Sequence, residues 1–226
     1  MAAISHGGDY VEHVHHQFED IEQQNETYIV GMWAFLVTEV MFFGAMFLIY
    51  ALYRWFYQPD FYYAHKELSI LWGGINTTIL LISSFTMVMA VHFAQLRQKA
   101  KVIANLGATM GLATAFLLIK FIIEWPEKAK HGLVPGAAFS PDPSHLHGTS
   151  PRAWEIFYSL YFAMTGLHAL HIIIGIAIIG ALAFMWQRGN RLVTEDYIPT
   201  ELVGLYWHFV DLVWIFLFPL FYLLPK

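Results

Sequence analysis

The apolar positions of this 226-residue chain gather into five long runs, separated by shorter polar stretches. They extend from about Tyr28 to Phe56, Leu68 to Leu96, Val102 to Trp125, Ala153 to Trp186 and Glu201 to Leu224. A helix crosses the hydrocarbon core with roughly 20 predominantly apolar residues, and every run meets that length. The pattern predicts an all-α fold, a polytopic transmembrane bundle of five helices. One connection is long, "PEKAKHGLVPGAAFSPDPSHLHGTSPR", and its prolines, glycines and serines break any continuous helix. The others are short, so successive helices are expected as antiparallel neighbours. The chain thus divides into a polar N-terminal tail, residues 1–27, and a transmembrane domain, residues 28–226. The tail has no Lys or Arg and no apolar centre, so it does not read as a signal peptide.

Composition agrees with the pattern. Hydrophobic residues make up 58% of the chain and charged residues 13%, where a soluble domain carries roughly a quarter charged. Mean hydropathy is +0.50. The net charge of -5, with no clustered basic face, argues against nucleic acid as a partner. The absence of cysteine excludes disulfides, thiolate metal centres and CxxC redox chemistry. The basic cluster "RQKAK" between the second and third runs favours the cytoplasmic side for that turn. The N-terminus is then cytoplasmic and the C-terminus lies on the opposite face.

Ionisable groups inside such helices need a reason, because burying them in lipid is costly. Glu39, in "FLVTEVMFFGAMF", falls near the expected bilayer midplane with aromatic and aliphatic neighbours on its own helix. It reads either as a proton-linked carboxyl or as an interhelical hydrogen-bonding tie to a polar partner on another span, such as His171 or His208. "TGLHALH" sets His168 and His171 on one face of the fourth run, and "WHFVD" sets His208 and Asp211 on one face of the fifth. For these histidines, haem ligation, metal or proton relay and structural hydrogen bonding all compete. Lys120 and Glu124, four residues apart, read as a helix-end ion pair whose lysine snorkels to the headgroups. Trp207 and Trp214 flank the histidine face, and together with Asn76 they are candidates for lipid or subunit packing. The tail's "HVHH" and the loop's "HLH" read as solvated histidines, and no metal site is expected. Tyr53, Trp55, Tyr57, Trp125, Trp154 and Trp186 fall near run ends, as an interfacial aromatic belt would.

Several of these segments carry a family resemblance. "YWHFVDLVWIFLF", "TEVMFFGAMF", "GGINTTILLISSFTM" and "TGLHALHIIIG" resemble, in order, the signature segments of subunit III of the haem-copper oxidases, the cytochrome c oxidase family. "FIIEW" resembles that family's Gln-x-x-Glu-Tyr stretch. The long form of the subunit has seven helices, and this chain matches the last five, as in short bacterial versions.

The resemblance implies an accessory subunit in a bacterial cytoplasmic membrane, with no cofactor of its own. It would pack beside catalytic subunit I, which holds haem and copper, and near subunit II, the copper and electron-entry subunit. It would bind phospholipid and support proton uptake by the dioxygen-reducing, proton-pumping partner. Glu39 matches the family's carbodiimide-reactive carboxyl. The resemblance favours the structural reading of the histidines. A quinol oxidase or nitric-oxide reductase accessory subunit is the near alternative, and a b-haem membrane anchor the distant one.

Overall fold

A computed structural model describes residues 17–223 of the chain, apart from Ala138 and His147. The tail motif "HVHH" and His147 lie outside the described residues. The described residues form helices α1 (Ile21–Phe56), α2 (Gln58–His65), α3 (Ile70–Gln95) and α4 (Lys99–Leu118). A π-turn (Ile119–Glu124) follows, and then α5 (Trp125–Lys130), α6 (Pro151–Arg188), α7 (Arg191–Thr194) and α8 (Ile198–Tyr222). Five helical stretches are long and apolar enough to cross a membrane: α1, α3, α4 through α5, α6 and α8. The fold is a polytopic helical bundle.

Two boundaries differ from the sequence reading. Helix α1 begins at Ile21 rather than near Tyr28, because Asp20 caps it: its carboxylate accepts the Gln23 amide at 2.7 Å. The third span does not stop at Trp125. Pro126 has no N–H to donate to the turn behind it, and the helix widens there without ending. The Trp125 amide reaches back five residues to the Lys120 carbonyl, and α5 carries the helix on to Lys130.

Helices α3, α4, α6 and α8 form the body of the bundle, with α8 at its centre. Half of the most apolar stretch of α8 is buried within the chain, against 17% for α1. Helix α1 lies along α6 and α8 through one narrow seam. Leu36, Phe43 and Tyr50, seven residues apart, are its buried apolar residues. Their contacts are aromatic: Phe43 meets His171 and Phe209, and Tyr50 meets Phe61 and Phe221. The Tyr50 hydroxyl donates to the Leu220 carbonyl at 2.6 Å, supplying a partner to the last turn of α8, whose carbonyls lack intrahelical donors. Met32, Met46 and Phe47 pack partly against the same core, whereas Trp33, Met41, Leu48 and Trp55 are turned outward.

The aromatic belt forms only in part. Trp55 is 74% exposed, whereas Trp154 and Trp186 are each 1% exposed and belong to the core. Trp186 donates to Thr200 at 3.1 Å and Trp154 to Thr149 at 2.9 Å. Close helix approach depends on two glycines: a Cβ on Gly175 of α6 would stand 2.7 Å from the Trp207 ring of α8, and one on Gly73 of α3 would stand 2.8 Å from the Phe218 and Tyr222 rings.

The long loop is tied down by polar contacts. The Lys128 ammonium donates to the Glu67 carbonyl, His145 meets the Glu67 carboxylate at 3.0 Å, and the Ser150 amide donates to Asp60 at 2.7 Å. At the opposite end, α6 closes on Gly189 in the left-handed region, with the Asn190 amide bonded to the Met185 carbonyl.

Candidate functional site

The largest polar assembly lies inside the bundle, around the π-turn. The Lys120 ammonium donates to Glu124 Oε2 at 2.5 Å and to the Tyr222 hydroxyl at 2.8 Å. Tyr222 donates to the same carboxylate oxygen at 2.6 Å, and Tyr161 does so at 3.1 Å. Asn76 donates to Glu124 Oε1 at 3.2 Å. Helices α3, α6 and α8 therefore all converge on a carboxylate supplied by the π-turn. Lys120 also sits 4.6 Å from the centre of the Trp214 ring, a cation-π distance.

This corrects the sequence reading of Lys120 and Glu124. The ion pair forms, but its side chains are 2% and 4% exposed, so it is interior and Lys120 does not snorkel. The physical reason is the continuation of the helix past Pro126. What the sequence presents as a span end is a point inside the bundle, where π-turns often mark a specialised site. Buried charges of this kind persist only when paired and hydrogen-bonded, and here the carboxylate accepts four hydrogen bonds.

Glu39 and His171 form a second polar centre. Glu39 Oε2 lies 3.2 Å from His171 Nε2, and His171 Nδ1 is 2.7 Å from the Leu167 carbonyl. Helix α1 thus meets α6 through a carboxylate and an imidazole. Tyr206 of α8 donates to the His171 carbonyl at 3.0 Å, so a third helix joins at the same level.

His208 and Asp211 do not pair with each other. His208 Nδ1 is 2.8 Å from the Ser84 hydroxyl of α3. Asp211 is 3% exposed, and the same Ser84 side chain lies beside its carboxyl. His168 is fully buried, with both ring nitrogens unpartnered among the described residues. It stacks on Trp214 at 5.2 Å and meets Phe116 edge-on at 5.7 Å. These rings fill the space beside it that a haem macrocycle would need.

Trp207, Trp214 and Asn76 require a further correction. They are 0%, 1% and 0% exposed, so they touch neither lipid nor a neighbouring subunit. The hydroxyl residues of α3 hold the tryptophans in place: Ser83 accepts from Trp207 and Thr77 from Trp214, each at 3.1 Å. The sequence reading gave those α3 hydroxyls no partner, and it missed this pairing. The available signal was spacing, since Thr77 and Ser83 stand six residues apart in α3, close to the seven that separate the two tryptophans of antiparallel α8. Tyr161 and Tyr222 were missed as well. No cluster of three or more His, Asp or Glu suited to a metal occurs among the described residues.

A bundle of five membrane-length helices with polar centres at its helix contacts defines a multi-pass membrane protein. Comparison with known proteins gives its family. The sequence profile of cytochrome c oxidase subunit III matches residues 150–225. Quinol oxidase subunit 3 of Bacillus spizizenii is 30% identical over 224 residues, covering 95% of this chain and 98% of that protein. Cytochrome c oxidase subunit 3 of Synechocystis sp. is 29% identical over 217 residues, covering 94% and 79% respectively. A protein of Aeropyrum pernix named haem-copper oxidase subunit I+III is 28% identical over 204 residues, which are 85% of this chain and 22% of that protein. The chain belongs to the haem-copper oxidase subunit III family, and it is a subunit III of such an oxidase.

Proposed function

We propose that the chain is the non-catalytic subunit III of a bacterial cytochrome c oxidase, packed against catalytic subunit I in the company of subunit II. The observation that carries the position beside subunit I is the relative whose name joins subunits I and III in one polypeptide. The geometry fits a packing role. Ionisable side chains of the spans make their bonds within the bundle, at Lys120–Glu124 and Glu39–His171. The outward faces of α1 and α3 are broadly apolar and suit lipid or a neighbouring transmembrane helix. Haem and copper reside in the partners, and phospholipid coats the outward faces. The chain lies in the bacterial cytoplasmic membrane with its N-terminus inside, and Glu39 supports proton uptake by the catalytic subunit.

A second reading, a quinol oxidase subunit, is favoured by the match to almost the whole length of the Bacillus spizizenii relative. One experiment tests both. The tagged chain is purified in mild detergent, and the eluate is examined by a reduced-minus-oxidised spectrum and by oxygen uptake on reduced cytochrome c or on a quinol. Co-purified haem with cytochrome c-driven uptake supports the first reading, and quinol-driven uptake alone supports the second. Recovery of the folded chain without haem partners overturns both.

A further inference from the structure

Helices α1 and α3 both pack on α8 and make almost no contact with each other. The outward stripe of α8 between them is therefore the floor of a groove. His208, Leu212 and Ile215 follow one another along that stripe at helical spacing, and Leu212 and Ile215 are exposed. On one wall Phe47 of α1 meets Phe216. On the other, Leu81 and Val88 of α3 share a face with Ser84 and are exposed.

The groove is apolar except at one point. His208 is only partly buried. Its Nδ1 is held by the Ser84 hydroxyl at 2.8 Å, and its Nε2 is open to the outside with no hydrogen-bond partner among the described residues. Both residues stand near the middle of their helices, which are 25 and 26 residues long. In a hydrocarbon core about 30 Å thick, the free nitrogen is then about 15 Å from either headgroup layer. Neither water nor a headgroup reaches that depth, and an acyl chain has no group to offer. The imidazole differs in this from Glu39–His171 and Lys120–Glu124, whose bonds close within the chain. A polar side chain facing out of a bundle at mid-depth is satisfied by another helix.

We propose that the groove over α8 is a docking site for one transmembrane helix of the catalytic partner, and that this helix brings a hydroxyl, amide or carboxyl side chain to His208 Nε2. Packed helices lie about 8–10 Å apart, so one helix set over α8 also touches α1 and α3. The apolar walls supply the contact area. The imidazole fixes the depth and rotation of the incoming helix, as a single polar position does in an otherwise apolar helix interface. A second copy of this chain fits less well, because two facing grooves enclose a void where one helix fills it. The choice of the catalytic partner rests on the function proposed above, with the relative named as subunit I and III together as its support.

The test uses the tagged full chain expressed with its partners in the native host membrane. Leu212, and in a separate variant Leu81, is replaced by the photo-crosslinking residue p-benzoylphenylalanine. Irradiation is expected to join both variants to the haem-carrying polypeptide. The same residue at Ile173, which is exposed on α6, is expected to give at least threefold less of that product. In a second arm, His208→Leu is expected to lower the haem recovered per purified chain at least threefold, and His208→Gln, which keeps an amide, to recover more than His208→Leu. Melting curves of both variants show whether they fold, and the crosslinks decide the matter if His208→Leu does not. Products at Leu212 and Leu81 that contain only lipid or a second copy of the chain overturn the proposal. So does an equal yield at Ile173, or unchanged haem recovery with folded His208→Leu. Failure of the unaltered chain to co-purify with any haem polypeptide overturns the proposed function itself, whereas these other outcomes, in a chain that does co-purify with haem, overturn the groove assignment alone.

Discussion

His171 Nε2 and Glu39 Oε2 meet at 3.2 Å across the contact between α6 and α1. The bond matters because α1 has so little else. Its buried apolar residues number three, Leu36, Phe43 and Tyr50, on one stripe of a 36-residue helix. Interhelical hydrogen bonds in membrane proteins contribute about 0.6 kcal/mol on average and up to about 1.7. A double-mutant cycle with Glu39→Ala and His171→Ala in detergent-solubilised chain is expected to give a coupling in that range. Limited proteolysis near α1 should accelerate in both single variants. Zero coupling would mean the two residues are neighbours without being tied.

Gly175 lies where α6 touches the Trp207 ring, and that ring cannot retreat easily because its indole N–H is held by Ser83 at 3.1 Å. Gly175→Ala is expected to cost about 1–3 kcal/mol through overpacking. Gly74 is the control, since a Cβ there meets nothing within 4 Å, and Gly74→Ala should leave the midpoint of thermal unfolding nearly unchanged. Equal behaviour of the two variants in a melting experiment would refute the close contact.

Outside the spans, His65 gives the fold an acid-sensitive point. Burial holds its imidazole pKa below the ordinary value of 6.5, although its hydrogen bond to the Tyr62 carbonyl opposes the shift. As pH falls through 6.5, the unfolded chain takes up a proton that the folded chain still refuses. Stability is therefore full above that value and declines as pH drops toward the folded pKa, where the loss levels off. Melting curves between pH 7.5 and 5.5 should show this decline, and His65→Gln should flatten it. An unchanged acid limb in the variant would assign the sensitivity elsewhere.

How far the sequence could be read depended on the kind of signal. Five apolar runs expose five spans, because lipid leaves the backbone no alternative to a helix. Glu39 was legible as a polar tie for the same reason: a carboxylate among Phe and Leu must find a partner. The choice between His171 and His208 as its partner was not legible, since nothing in the sequence gives the rotation of α1 about α6 and α8. Lys120 and Glu124 were misplaced because proline normally ends a helix, and the π-turn that absorbs Pro126 has no signature in the one-dimensional pattern. Trp207 and Trp214 were assigned to lipid or subunit contacts because they flank a polar face. The hydroxyls of α3 that hold them inward become visible only when two helices are set in antiparallel register.

The Lys120–Glu124 pair allows a sharper test, because its two members are compensated unequally. Removing the ammonium by Lys120→Met leaves the carboxylate with hydrogen bonds from Tyr161, Tyr222 and Asn76. Removing the negative charge by Glu124→Gln leaves an ammonium that is 2% exposed, with a phenol oxygen and aromatic faces but no anion. Breaking a buried pair from one side typically costs about 3–5 kcal/mol. Glu124→Gln is expected at the upper part of that range and Lys120→Met below it. The double variant removes both charges and should be more stable than Glu124→Gln alone, since no unpaired ion remains in the bundle. Thermal unfolding of the three variants in one detergent gives the order directly. If the double variant is less stable than either single one, the network is held chiefly by packing around the aliphatic stem of Lys120, and the charge pairing has a minor share.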